Sequence, residues 1–101
     1  MDNYNSDEML EYLCHGLLTL QTPEECRAFL QDLCTVSEMQ EMSRRLHAAK
    51  MLKNGHIYSD IAEQTGLSTA TISRVNRSLS GGSGGYEAYF ARMAAETEEN
   101  Q

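Results

Sequence analysis

The stretch that decides the fold is YSDIAEQTGLSTATISRVNRSL, residues 58–79, whose spacing is typical of a helix-turn-helix. Gly66 falls where a first helix must end, because glycine adopts the left-handed conformation without a steric penalty. Leu67 is predicted to turn inward, and the hydroxyl of Ser68 to cap a second helix. Along that second helix, three apolar side chains recur at helical spacing and predict a buried stripe: Ile72, Val75 and Leu79.

The remaining face of the second helix carries short polar and cationic side chains. Such groups can donate to phosphates and reach base edges when a helix lies in a major groove. The predicted DNA contacts are Ser68, Thr69, Ala70, Thr71, Ser73 and Arg74, with Arg77, Lys50 and Lys53 nearer to phosphates. The same pattern also fits an ordinary helical hairpin with a polar outside, and that alternative stays open.

The charge of the chain is unevenly distributed along the sequence. The net charge is −7, yet residues 44–79 carry six basic and two acidic side chains and have a net charge of +4. Screening at physiological salt acts over about 8 Å, so the local field matters more than the total charge at contact distance. A chain this acidic is expected to bind nonspecific DNA weakly, which favours a selective binder.

Composition predicts an all-α chain of about six helices in a single domain, residues 1–101, because the chain has one proline and lacks strand-like alternation. The predicted segments are N-terminal dimerisation helices (1–34), a long helix (35–55), the helix-turn-helix (58–79) and a C-terminal helix (86–97). The glycine-rich residues 80–85 predict a flexible joint. Four side chains of the second helix are predicted to be buried: Cys26, Phe29, Leu30 and Leu33.

The N-terminal helices are more apolar than one small chain can hide. Their apolar side chains include Met9, Leu10, Leu13, Leu17 and Leu18. A second copy of the chain would cover them, so we expect a homodimer built on these helices. Such a dimer places its two reading helices about 34 Å apart, one turn of DNA. A monomer with a fully packed core is the alternative.

Other functional classes find little support in the sequence. No apolar run approaches the roughly 18 residues of a membrane helix, and the N-terminus is acidic, so we expect a cytoplasmic protein. The three cysteines have no metal-site spacing and predict free, buried thiols, with no metal and no cofactor. Cys14 and His15 are the one adjacent nucleophile–base pair, but no orienting acid is evident, so we predict no enzyme.

From Leu33 to Leu79 the sequence resembles the tryptophan repressor family. The resemblance lies in LCTVSEMQEM (33–42), the arginine pair 44–45, MLKNG (51–55), DIAEQTGLSTATISR (60–74) and residues 78–79. More narrowly, the chain is similar to tryptophan-repressor-related proteins of the YerC/YecD type. The resemblance implies a TrpR-like, intertwined homodimer that binds double-stranded DNA as a sequence-specific transcriptional regulator, a repressor. A protein-interaction module that uses the helix-turn-helix as a scaffold is the alternative.

The resemblance also implies a site for a small effector. In the family an indole ring lies between two arginines, which match Arg45 and Arg74 here. Guanidinium planes stack well on aromatic faces. Thr35 and Ser78 match family positions that can bond the amino-acid backbone of a ligand.

The sequence departs from the family pattern in three places. Val75 stands where the family has glycine and can fill space that a ligand would use. One residue is missing from the loop at 56–59, and Ser59 and Ala62 stand where the family places basic DNA-contacting residues. Tryptophan, another small co-repressor and no effector at all therefore remain open alternatives.

Overall fold

The computed structural model describes residues 5–99, with side chains described as far as residue 97. In that range the chain forms helices and no strand, so the predicted all-α fold is confirmed. The helices are α1 (Ser6–Leu18), α2 (Pro23–Leu33), α3 (Val36–Lys53), α4 (Tyr58–Thr65), α5 (Thr69–Gly81) and α6 (Gly85–Glu99). The chain divides into two compact units, Met1–Met39 and Gln40–Gln101, and the boundary falls within α3. The single domain predicted from the sequence stays a prediction.

Polar side chains set where the helices of the first unit begin. Thr22 Oγ1 accepts a hydrogen bond from the backbone N–H of Glu25 at 3.1 Å, and Pro23 occupies the first helical position. The carboxylate of Glu25 reaches back to the N–H of Gln21 at 3.1 Å. Asn5 caps α1 through its side-chain oxygen in a similar way. These bonds satisfy N–H groups that the first turn of a helix leaves without intrahelical partners.

The side chains of the first unit remain at its surface. No residue of α1 or α2 within the described range is buried in the chain. Leu33 is 53 % exposed, and the other predicted core residues of α2 are only half-buried: Cys26, Phe29 and Leu30. A unit of fewer than about 40 residues encloses too little apolar surface to bury side chains by itself. The prediction that α2 is buried within the chain is therefore wrong.

The core of the second unit lies where α3, α4 and α5 meet. Its buried residues are Ala48, Met51, Ile61, Leu67 and Ile72, with Leu52, Tyr58 and Ala62 packed against them. Of the predicted stripe on α5, Ile72 and Val75 are buried and Leu79 is half-buried. Burial of a large aliphatic side chain stabilises a fold by about 1.5–3 kcal/mol. This small core therefore fixes the orientation of α5 relative to α4.

The turn between α4 and α5 has the predicted geometry. Gly66 takes a left-handed conformation with φ of 76°, and its N–H donates to the carbonyl of Ala62 at 2.9 Å. Leu67 turns into the core and is 6 % exposed. Ser68 Oγ accepts a hydrogen bond from the N–H of Thr71 at 3.1 Å and so caps α5. The helix-turn-helix predicted over residues 58–79 is confirmed.

Thr65 contributes a buried polar link that the sequence pattern does not predict. Its hydroxyl donates to the carbonyl of Ile61 at 2.7 Å and accepts from the N–H of Leu67 at 3.2 Å. Buried polar groups are costly unless they are paired, and both bonds here are made inside the turn. Thr65 therefore ties the end of α4 to the residue that enters the core.

The joint between α5 and α6 is shorter than the sequence predicts. Helix α5 continues to Gly81 and α6 begins at Gly85, which leaves residues 82–84 between them. The N–H of Gly82 donates to the carbonyl of Ser78 at 3.0 Å, and a Cβ on Gly82 would lie 2.5 Å from that oxygen. The predicted break over residues 80–85 is therefore too long. Glycine is tolerated at helix ends, so Gly81 and Gly85 belong to the helices and not to the joint. Helix α6 likewise exceeds the predicted 86–97.

Candidate nucleic-acid interface

The start of α5 presents small, exposed residues: Ser68, Thr69 and Ala70. Ser68 is held in place twice, because its Oγ accepts from the N–H of Thr71 and donates to Thr71 Oγ1 at 3.1 Å. Small side chains allow close approach to the first N–H groups of a helix, which carry partial positive charge. This end of α5 can therefore approach the base edges or phosphates of a nucleic acid closely.

A side-chain bond along α5 holds one of its two arginines. Arg77 Nη1 donates to Ser73 Oγ at 3.2 Å, one turn earlier in the helix. Ser73 is half-buried, whereas Arg77 is exposed. A guanidinium group has further N–H donors in a planar fork that matches phosphate oxygens. The bond therefore positions a cation that can still contact a phosphate.

Two lysines lie in the last turn of α3, and both are exposed: Lys50 and Lys53. The Nζ atom of Lys53 lies 5.8 Å from the centre of the Phe90 ring on α6. The Phe90 ring in turn stacks on that of Tyr86, with ring centres 6.3 Å apart. A cation–π contact restrains a lysine without neutralising its charge. Helix α6 therefore helps to position one of the predicted phosphate contacts.

A cavity of about 280 Å³ lies among α3, α5 and α6 of the second unit. Its lining residues are Glu41, Arg45, Thr71, Arg74, Val75, Ser78 and Tyr86. The structure therefore brings together three of the four predicted effector residues, which are Arg45, Arg74 and Ser78. Within the described side chains, residues 5–97, neither arginine has a hydrogen-bonded or ion-paired partner. Both guanidinium groups are therefore available to a bound molecule.

The fourth predicted effector residue, Thr35, serves as a helix cap in the first unit. Its hydroxyl accepts from the N–H of Glu38 at 3.1 Å, and its own N–H donates to the Glu38 carboxylate at 2.8 Å. This reciprocal pair is a capping box that starts α3. A role for Thr35 in effector binding stays a prediction.

The cavity also involves residues that the sequence assigned elsewhere or missed. Thr71 and Arg74, both predicted to contact DNA, line the cavity, and Val75 forms part of its wall with 4 % exposure. Glu41 and Tyr86 were not predicted. Glu41 stands four residues before Arg45, so helical spacing alone places both on one side of α3. No comparable signal exists for Tyr86, because it lies beyond the glycine-rich joint.

Four features of the structure concern other functional classes. Glu11 Oε1 lies 4.0 Å from His15 Nε2, which is beyond hydrogen-bond distance. Both side chains are largely exposed, and exposed pairs of this kind contribute little to stability. Cys14 is exposed and Cys26 and Cys34 are half-buried, so the predicted burial of the thiols is wrong. Among the described residues, no three histidine, cysteine or acidic side chains are grouped as metal ligands. No helix in that part of the chain is long and apolar enough to span a membrane.

Comparison with known proteins agrees with this architecture. Residues 8–94 match the family model of the Trp repressor protein. The chain is 45 % identical over 92 residues to the protein YerC of Bacillus subtilis (strain 168), covering 90 % of this chain and 88 % of YerC. A solved TrpR-like protein from Eubacterium eligens ATCC 27750 is 46 % identical with a TM-score of 0.82, over 86 % of this chain and 90 % of that one. A candidate Trp repressor from Staphylococcus aureus is 48 % identical with a TM-score of 0.81, and the match covers 86 % of this chain and 87 % of that one. The chain therefore belongs to the Trp repressor family of DNA-binding regulators.

Proposed function

We propose that the chain is a transcriptional repressor that binds a two-fold symmetric operator as a homodimer. The observation that carries the proposal is the helix-turn-helix, in which a buried core orients α5 and leaves its first residues exposed. This motif lies in the one segment of the sequence with a net positive charge, residues 44–79. Membership of the Trp repressor family supports a regulator rather than an enzyme.

In this proposal α5 lies in the major groove of the operator. Ser68, Thr69 and Ala70 approach base edges, and short hydroxyl side chains suit contacts made through ordered water. The other predicted DNA contacts on α5 follow these three residues along the helix: Thr71, Ser73 and Arg74. Three exposed cations contact phosphates on either side: Arg77, Lys50 and Lys53.

The homodimer is proposed from the exposed apolar side chains of the first unit. Met9 and Leu10 are each 59 % exposed, Leu18 is 81 % exposed and Tyr12 is 84 % exposed. All four side chains lie on α1, and extended apolar surface marks interaction sites on proteins. A second copy would cover this surface, and a two-fold operator requires the two α5 helices of the dimer to lie about 34 Å apart.

We further propose that the cavity beside α5 holds a small, amino-acid-like effector. Arg45, Arg74 and Ser78 line the cavity, and the structure, over side chains 5–97, gives their side-chain donors no hydrogen-bond partner. Arg74 and Ser78 belong to the reading helix itself. A ligand that binds one arrangement of α5 more tightly than others shifts the population toward that arrangement. Binding in this cavity would therefore control the affinity for the operator.

The proposal is tested by capturing sheared genomic DNA of the source organism on the purified full chain and sequencing the bound fragments. The capture is carried out with and without added L-tryptophan. We expect a few strongly enriched sites with two-fold symmetry. Absence of enrichment in both conditions would contradict the proposal and would favour the protein-interaction module.

Matched variants on α5 separate base contacts from phosphate contacts on a captured site. Arg77→Ala should weaken binding to all sequences by a similar factor and reduce the salt slope by about one. Thr69→Ala should instead reduce the preference for the captured site over a scrambled one. The control is Glu96→Gln, at an exposed position on α6. Equal losses on both DNAs for Thr69→Ala as well as for Arg77→Ala would contradict the assignment of base contacts.

A further inference from the structure

Glu41 is an acidic side chain in a cavity whose other charged groups are arginines. It lies on α3 one turn before Arg45, is half-buried, and lines the same cavity as Arg45 and Arg74. Val75 and Tyr86 add apolar surface to the wall, and Thr71 and Ser78 add hydroxyl groups. The cavity therefore presents one carboxylate, two guanidinium groups and an apolar side within about 280 Å³.

These three charged groups do not neutralise one another. Within the described side chains, residues 5–97, Glu41 forms no ion pair with either Arg45 or Arg74. Glutamate and a cation four residues apart on a helix ordinarily attract each other. Here all three border the cavity without pairing, so a molecule inside it can contact each of them.

The mixture of charges determines which ligands are favoured. A ligand with only a negative charge would be attracted by the arginines and repelled by Glu41, whose partial burial reduces screening by water. A ligand with only a positive charge would meet two guanidinium groups. A ligand with both charges can satisfy all three groups, because each charge then has an opposite partner.

The size of the cavity limits the ligand further. Pockets for drug-sized ligands have volumes of about 300–1,000 Å³, and this one lies just below that range. An apolar part of the ligand would contact Val75 and Tyr86. The cavity therefore suits a small molecule with a compact apolar group.

We infer that Glu41 is a specificity-determining residue of this cavity, because its carboxylate accepts the cationic group of a ligand whose anionic group lies at Arg45 and Arg74. The inference rests on the proposed effector cavity and restricts its ligand to small zwitterions. Glu41 thereby rejects simple organic acids that the two arginines alone would bind.

The test uses the full chain and measures binding by titration calorimetry after a thermal-shift screen of the proteinogenic L-amino acids. Each amino acid that binds is compared with its deaminated carboxylic acid and its decarboxylated amine. The measurements are repeated on Glu41→Gln, which keeps the shape of the side chain and removes its charge. The control is Glu96→Gln, at an exposed position on α6 outside the cavity.

We expect the unmodified chain to bind the amino acid at least about ten-fold more tightly than the matched acid, as a charge-assisted hydrogen bond implies. Glu41→Gln should remove this preference, and Glu96→Gln should retain it. The inference is overturned if the acid binds as tightly as the amino acid, or if Glu41→Gln keeps the preference. It is also overturned if no amino acid binds at about 10 mM, well above a millimolar Kd.

Operator binding is measured on the same preparations. Specific DNA binding without any amino-acid binding would leave the DNA-binding proposal intact and reject the inference about Glu41. Amino-acid binding that depends on Glu41 in a chain without specific DNA binding would support the inference and reject the repressor. Circular dichroism melts of both glutamine variants establish that each retains its helices.

Discussion

Gly66→Ala should destabilise the helix-turn-helix, whereas Gly81→Ala at the other end of α5 should not. A Cβ at either position would have no heavy atom within 4 Å, so neither substitution creates a steric overlap. The two glycines differ in backbone conformation, because Gly66 has a φ of +76° and Gly81 is not in the left-handed region. The pair therefore isolates the conformational cost of placing an L-residue in that region.

The magnitude follows from two opposing terms. An L-residue in the left-handed region costs about 1–2 kcal/mol. Alanine also restricts the unfolded chain, which stabilises the fold by about 0.4–1 kcal/mol wherever the native conformation is compatible. Gly81→Ala should therefore be slightly stabilising. Gly66→Ala should lose about 1 kcal/mol of unfolding free energy, and the two variants should differ by about 1–2 kcal/mol.

The assay is urea unfolding followed by circular dichroism, with all proteins at one concentration because self-association makes stability depend on concentration. The slopes of the unfolding free energy against urea should agree among the three proteins. If Gly66→Ala is as stable as Gly81→Ala, the left-handed turn does not constrain this position. That result would refute the assignment of the turn geometry.

Three further predictions concern other parts of the molecule. Thr65→Val removes the acceptor of the buried Leu67 N–H and should lower the unfolding free energy by about 1–3 kcal/mol in the same urea assay. An unchanged urea midpoint would contradict the buried link. Phe90→Leu removes the ring beside Lys53 and should raise the Kd for every DNA sequence about two- to five-fold. The effect should vanish in a Lys53→Met background, and an effect that persists there would argue that Phe90 does not act through Lys53. Leu10→Lys, at a 59 % exposed apolar position, should shift sedimentation equilibrium toward monomer, and an undiminished dimer would place the interface elsewhere.

The turn of the helix-turn-helix could be predicted from the sequence because each of its residues follows a local rule. Gly66 meets the need for a positive φ, and Ser68 has a hydroxyl that caps the next helix. Ile72 and Val75 follow helical spacing, and both are buried. In each case the deciding interactions lie within a few residues along the chain.

The misses have a common cause, since they depend on surfaces that local spacing does not specify. The pattern of α2 predicts an apolar side but not what covers it, and Leu33 is 53 % exposed in the single chain. Tyr86 reaches the cavity only because the joint after α5 is as short as residues 82–84. Helical spacing places Glu41 on the same side of α3 as Arg45. Only the fold brings Glu41 to the same cavity as Arg74, which lies on α5.

The most direct test of the account is methylation interference with dimethyl sulfate on a captured operator. The reagent modifies guanine N7 in the major groove and adenine N3 in the minor groove, so it reports which groove the protein occupies. We predict interference by guanine N7 methylation in two clusters, centred about 10 base pairs apart, as two α5 helices in successive major grooves require. A single cluster, or interference confined to adenine N3, would contradict the claim that α5 reads the operator in a two-fold dimer.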